Sequence, residues 1–162
     1  MSTANKNLSY FDPTNFPDAS GMRFAIVVSE WNTEITEALY YGAEETLIAL
    51  GCLPHNIIRQ NVPGSFELPL AAKYIIDNEK PDAVLCIGCV IQGETRHFDF
   101  ICQAVAQGIM DLGIQTGIPV IFGVLTPENM QQAYDRAGGR HGNKGVEAAQ
   151  TAVKMAAMRI KR

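Results

Sequence analysis

The stretch PDAVLCIGCVIQGETRHFDFI, residues 81–101, contains a complete change of structure. Asp82–Ile91 is a nearly unbroken apolar run, which predicts a strand buried on both faces, as in a parallel sheet. Gly93–Glu94–Thr95 then turns the chain. From about Arg96 the apolar residues Phe98, Ile101, Val105, Ile109 and Leu112 recur at helical spacing. A buried strand, a glycine-hinged turn and a long amphipathic helix make half of a βαβ unit.

The same alternation extends in both directions. Arg23–Glu30 predicts a first strand. Asn32 is placed to cap a helix with Ile35, Leu39, Ala43, Leu47 and Leu50 on one face, stopped by Gly51. His55–Val62 predicts a second strand, and Pro63–Gly64 breaks it. Ser65 is placed to cap a helix carrying Leu68, Ala72, Ile75 and Ile76, with Pro69 tolerable in its first turn. Ile118–Leu125 predicts the fourth strand, and Thr126–Pro127–Glu128 a helix start. That helix ends near Ala137–Gly138–Gly139, and an Ala-rich helix follows from about Asn143. Four alternations predict a three-layer αβα sandwich around a four-stranded parallel sheet. Residues 1–20 read as an N-terminal arm and 21–162 as a single domain.

Composition narrows the function. A net charge of −4 argues against nonspecific nucleic-acid binding, which needs clustered Lys and Arg. Met1–Pro17 is polar with two prolines, unlike a secretory signal, and no apolar run reaches the ~20 residues of a membrane span. A soluble cytoplasmic protein, with no nucleic-acid and no membrane partner, is the expectation. Cys86 and Cys89 form a CxxC, but residues three apart on a strand face opposite ways, so neither metal nor disulfide is expected there. Buried free thiols are the simpler reading.

In open parallel sheets, ligands bind beyond the carboxyl ends of the strands. Four loops reach that edge: 29–32, 62–67, 89–97 and 123–126. Trp31 offers a face for a flat heterocycle, or simply covers core at the rim. Glu67 accepts hydrogen bonds from a ring, or favours a helix dipole. Phe66 reads as either a contact or a core residue. Glu94 and Thr95 open a helix whose free N–H groups suit an anion, or form an ordinary helix start. His97 is a proton-transfer group near neutral pH, or a cap. Arg136 ends a helix, where a cation suits the dipole, and Arg also grips phosphate bidentately. The glycines around Lys144 resemble a P-loop superficially, but Gly145 follows the Lys and no strand precedes the loop. A tight connection between helices accounts for them better.

Taken together, VVSEWNTEIT (27–36), NVPGSFELP (61–69), IGCVIQGETRHFDFI (87–101), PVIFGVLT (119–126) and DRAGGRHGNKGVEAA (135–149) resemble the successive motifs of lumazine synthases, in order and spacing. The resemblance runs from about residue 8 to the C-terminus. It implies a flavodoxin-like sandwich and a transferase of riboflavin biosynthesis. That enzyme condenses 5-amino-6-(D-ribitylamino)uracil with 3,4-dihydroxy-2-butanone 4-phosphate, without metal or organic cofactor. It implies His97 as acid and base. For the pyrimidine and its ribityl chain it implies Trp31, Ser65, Phe66, Glu67, Phe122 and the backbone of Cys89, Val90 and Ile91. For the phosphate it implies Arg136 with Glu94 and Thr95, and Lys144 as a neighbour one step away. Trp31 stands where Phe is common, Cys89 where Thr or Ala is common, and Arg96 where a smaller residue is common. The resemblance further implies homo-pentamers, with Phe122 and Arg136 entering the site from the adjacent subunit. Some members stack twelve pentamers into a 60-subunit shell, which the uninterrupted Gly138–Gly145 connection resembles, and riboflavin synthase is the partner such a shell would enclose. A non-catalytic lumazine binder on the same fold could lack His97 or Arg136, and a receiver domain would need an Asp at a strand end.

Overall fold

The computed structural model describes residue 7 and residues 9–160. Four strands, β1 (Phe24–Ser29), β2 (Ile57–Val62), β3 (Ala83–Cys89) and β4 (Val120–Leu125), form one parallel sheet in the order β2-β1-β3-β4. Helices α1 (Thr33–Ala49), α2 (Leu68–Glu79) and α3 (His97–Thr116) connect them. A short α4 (Met130–Arg136), a hairpin of β5 (Ala137–Gly139) and β6 (Gly142–Asn143), and α5 (Lys144–Ile160) follow β4.

The sheet separates two cores. Phe24, Ile26 and Val28 of β1 and Leu85 and Ile87 of β3 pack with Leu39 and Leu47 of α1 and Ala149, Ala152 and Val153 of α5. The intervening Ala25, Val27, Val84 and Cys86 pack with Leu68 and Ala72 of α2 and Val105 and Ile109 of α3. Full burial of a side chain such as Leu39 in one core or Leu68 in the other is worth roughly 1.5–3 kcal/mol, so both layers hold the sheet. The alternation parts the CxxC thiols: Cys86 faces α2 and α3, Cys89 the other core. Burial pushes both thiols up to about 12, Cys89 with a smaller contribution from Cys102, so both stay protonated.

Four local expectations are corrected. His55 and Asn56 lie in a 3-10 turn that Pro54 opens, and β2 begins at Ile57. Ser65 does not cap α2: Pro69 can occupy only the first turn, so α2 begins at Leu68 and Ser65–Glu67 form a tighter 3-10 turn before it. Thr126–Pro127 do not start α4. The Leu125 carbonyl accepts from Val90 N–H (2.9 Å) and the Pro127 carbonyl from Gln92 N–H (3.0 Å), so the chain stays extended. Asn129 caps α4 instead, its side chain accepting from Gln132 N–H at 3.0 Å. Asn32 precedes α1 in a left-handed conformation (φ 58°) and makes no side-chain cap.

Of the arm, residues 1–6 and 8 lie outside the described residues. Phe11 and Phe16 meet edge to face at 5.5 Å and pack against the α1/α5 core, with the Lys154 ammonium 4.4 Å from the Phe16 ring.

Candidate active site

The carboxyl ends of the four strands are laced together by their loops. Glu30 N–H donates to the Val62 carbonyl (2.8 Å) and Trp31 N–H to the Pro63 carbonyl (3.3 Å), which joins the loops after β1 and β2. The Asn32 side-chain amide donates to the Cys89 carbonyl at 2.9 Å, which joins the first loop to the end of β3. The Val90 and Gln92 bonds described above continue the lacing to β4.

Trp31, Gly64 and Glu67 form one wall. A Cβ on Gly64 would stand 3.1 Å from Glu67 Oε2 and 3.5 Å from Trp31 Cδ1, so the glycine lets carboxylate and indole approach. Trp31 is 73% exposed, so it does not serve to cover core, and Phe66 is 57% exposed. Ser65 is the reverse: it is buried, and its Oγ and that of Ser29 have no hydrogen-bond partner among the described residues. Both hydroxyls close on Gly88, where a Cβ would lie 2.5 Å from Ser65 Oγ and 3.3 Å from Ser29 Oγ. At the end of β3, the Cys89 carbonyl and Val90 N–H are already engaged by Asn32 and Leu125. An open groove of about 520 Å³ between β2 and α2 runs up to Glu67, lined by Ile58, Val62, Leu70 and Tyr74.

His97 is the first residue of α3 and is exposed, its N–H donating to Thr95 Oγ1 at 3.4 Å. Glu94 and Thr95 lie in the exposed bend before it. Arg96 turns along its own helix, 3.7 Å from Asp99 and 5.7 Å from the Phe100 ring, with its side chain 83% exposed. Phe122 lies on the edge strand β4 and is 36% exposed.

Arg136, the last residue of α4, stands elsewhere. Its guanidinium donates to the His141 carbonyl (2.6 Å) and to Glu147 (2.7 Å), and Lys144 reaches the same carboxylate at 3.2 Å. Glu147 belongs to α5, on the opposite face of the sheet from α3, which carries His97. Trp31, Ser65, Glu67 and the β3 end are therefore brought together within one chain, whereas Arg136 and Lys144 form a second cluster.

Two residues escaped the sequence reading. Asn32 read as a cap, because the residue types that cap helices also tolerate the left-handed region. Glu147 carried only its spacing of three from Lys144, a weak pairing signal. Asn32→Gly keeps the left-handed backbone and removes the tether. It is expected to raise the Km for the ring-bearing substrate about three- to tenfold, near the worth of one hydrogen bond, with little change in melting temperature. An unchanged Km would show that the end of β3 holds its place unaided.

Residues 21–159 match the family model described as 6,7-dimethyl-8-ribityllumazine synthase. A protein of that name from Flavobacterium johnsoniae is 60% identical over 98% of this chain and 84% of its own. One from Cytophaga hutchinsonii is 58% identical over 99% of this chain and 100% of its own. One from Porphyromonas gingivalis is 53% identical over 98% of each. The laced sheet edge, with an indole and a carboxylate over one glycine and a histidine opening the next helix, is thus set in a chain that belongs to the 6,7-dimethyl-8-ribityllumazine synthase family.

Proposed function

We propose that the chain joins 5-amino-6-(D-ribitylamino)uracil to 3,4-dihydroxy-2-butanone 4-phosphate, the penultimate step of riboflavin biosynthesis, at the edge where Trp31, Gly64 and Glu67 meet. That wall is the observation that carries the assignment of residues: an exposed indole supplies a stacking face, and the carboxylate beside it accepts hydrogen bonds. Ser65, Phe66 and the backbone of Cys89, Val90 and Ile91 complete the pyrimidine and ribityl contacts, and Phe122 closes the pocket.

The substrate's own 5-amino group is the nucleophile, so no side chain need be activated for attack. It adds to the ketone carbon, and loss of water leaves an imine. A proton is removed from the adjacent carbon as phosphate departs, and ring closure expels a second water. Each step moves protons, and His97, at the exposed start of α3, is the group assigned to move them. Arg136 holds the phosphate, helped by the backbone of Glu94 and Thr95, while Lys144 stands behind. Holding two substrates in register supplies much of the remaining acceleration.

His97 and Arg136 are anchored on opposite faces of one sheet, and Phe122 lies exposed on its edge. A homo-pentamer in which Phe122 and Arg136 serve the adjacent subunit's site accommodates both facts. Light scattering distinguishes it from a 60-subunit shell, the larger assembly that could enclose riboflavin synthase. Among the described residues no helix is long and apolar enough to cross a membrane, and a cytoplasmic setting suits the buried free thiols.

Mixing the protein with both substrates, while following the lumazine chromophore and released phosphate, tests the assignment. A rate no higher than the spontaneous reaction would sink it. His97→Ala is expected to lower the rate by roughly 10²-fold with both Km values little changed, as for one acid/base group. A rate within threefold of the parent would remove His97 from the chemistry.

A further inference from the structure

The Arg136 cluster contains more than a phosphate grip. We propose that Glu147 is a positioning residue that holds Arg136 and Lys144 together as one anion-binding pair. The inference rests on the reading of Arg136 as the phosphate-binding group.

Glu147 divides its oxygens between the two cations. Oε1 accepts from Arg136 at 2.7 Å, and Oε2 accepts from Lys144 at 3.2 Å. Its side chain is 11% exposed, against 27% and 22% for Arg136 and Lys144, so the carboxylate lies beneath the two cations. Two like charges this close repel, and a carboxylate between them removes the reason to splay. The hairpin supplies a second hold: the His141 carbonyl accepts from Arg136 at 2.6 Å, while His141 N–H donates to the Asp135 carbonyl at 2.8 Å. Arg136 thus has two of its five N–H groups committed and three left for a ligand. Lys144 and Glu147 are one turn apart at the start of α5, so α5 fixes the spacing of the pair.

Glu147 has two opposing effects on a bound phosphate. Its charge offsets one of the two positive charges, which weakens attraction. Its hydrogen bonds remove the rotamer freedom of two long side chains, which strengthens binding. The ligand's side of the pair is more exposed than the carboxylate's, so water screens the long-range charge effect more than the direct bonds. Positioning therefore dominates.

The full-length Glu147→Gln protein tests this, with inorganic phosphate as the calorimetric probe and steady-state kinetics for both substrates. Phosphate Kd and the Km for the butanone phosphate are each expected to rise about tenfold, with the pyrimidine Km within twofold. Unchanged or tighter phosphate binding would overturn the inference. Arg136→Ala is measured alongside. If it leaves phosphate Kd unchanged, the phosphate reading of Arg136 fails and the inference with it. If it weakens binding while Glu147→Gln does not, only the inference fails. Should Glu147→Gln not fold, Lys144→Gln replaces it: about threefold weaker phosphate binding supports a joint pair, and no change refutes it.

Discussion

Gly145→Ala is expected to destabilise the fold by more than about 3 kcal/mol, because overpacking against fixed backbone has no easy relaxation. A Cβ at this position would overlap the Leu39 carbonyl oxygen and stand 2.7 Å from its carbon. Neither partner is free to retreat. Leu39 is fully buried in α1, and Asn143 pins both helices. Its amide donates to the Ala38 carbonyl at 2.8 Å, and its Oδ1 accepts from the N–H groups of Gly145 (2.8 Å) and Val146 (3.3 Å). The Ala-rich face of α5, with Ala148, Ala149, Ala152 and Ala156 almost wholly buried, presupposes this close approach. Gly21→Ala is the control, since a Cβ there meets nothing within 4 Å, and its cost is expected to stay within about 0.5 kcal/mol. Urea unfolding of both variants measures the difference. A loss below 1 kcal/mol at Gly145 would mean that α1 and α5 can part cheaply.

Arg136→Ala is expected to raise the Km for the butanone phosphate by about 10²- to 10⁴-fold and to leave that for the pyrimidine within about twofold. A guanidinium gripping phosphate with two charged hydrogen bonds contributes about 1.5–3 kcal/mol per bond, and each 1.4 kcal/mol is tenfold. Arg136→Lys keeps the charge but loses the planar fork, so it is expected to fall between parent and alanine variant. The alanine substitution also leaves Glu147 with Lys144 as its remaining ion-pair partner, a structural cost. A melting curve reports that cost without reference to substrate. Equal effects on both substrates would remove the phosphate role from Arg136.

The sheet was legible because buried parallel strands carry continuous apolar runs, and Ala83–Cys89 has nothing but apolar residues, glycine and thiols to bury. Helix faces were legible from spacing: Leu68, Ala72, Ile75 and Ile76 all lie in the core. Helix starts were less so. Ser65, Thr126 and Asn32 each have a capping side chain, and none of them caps a helix. Asn32 instead reaches a carbonyl 57 residues away. The hairpin at Ala137–Asn143 was hidden because glycine signals a turn without saying whether its flanks will pair. The Trp31–Glu67 wall could be anticipated from strand ends, since topology alone brings those loops to one edge. The Arg136–Glu147–Lys144 cluster could not, because its contacts depend on how α4 and the hairpin fold back upon α5.

The Asn143 bond to Ala38 spans 105 residues. The covering of α1 waits for a helix made much later: α1 ends at Ala49, yet the surface that covers it begins at Lys144. Closing so long a loop is entropically costly and favours a late docking step. On the ribosome, a nascent chain lacking α5 leaves the apolar side of α1 and β1 uncovered, and that interval is when it most needs shielding from its neighbours.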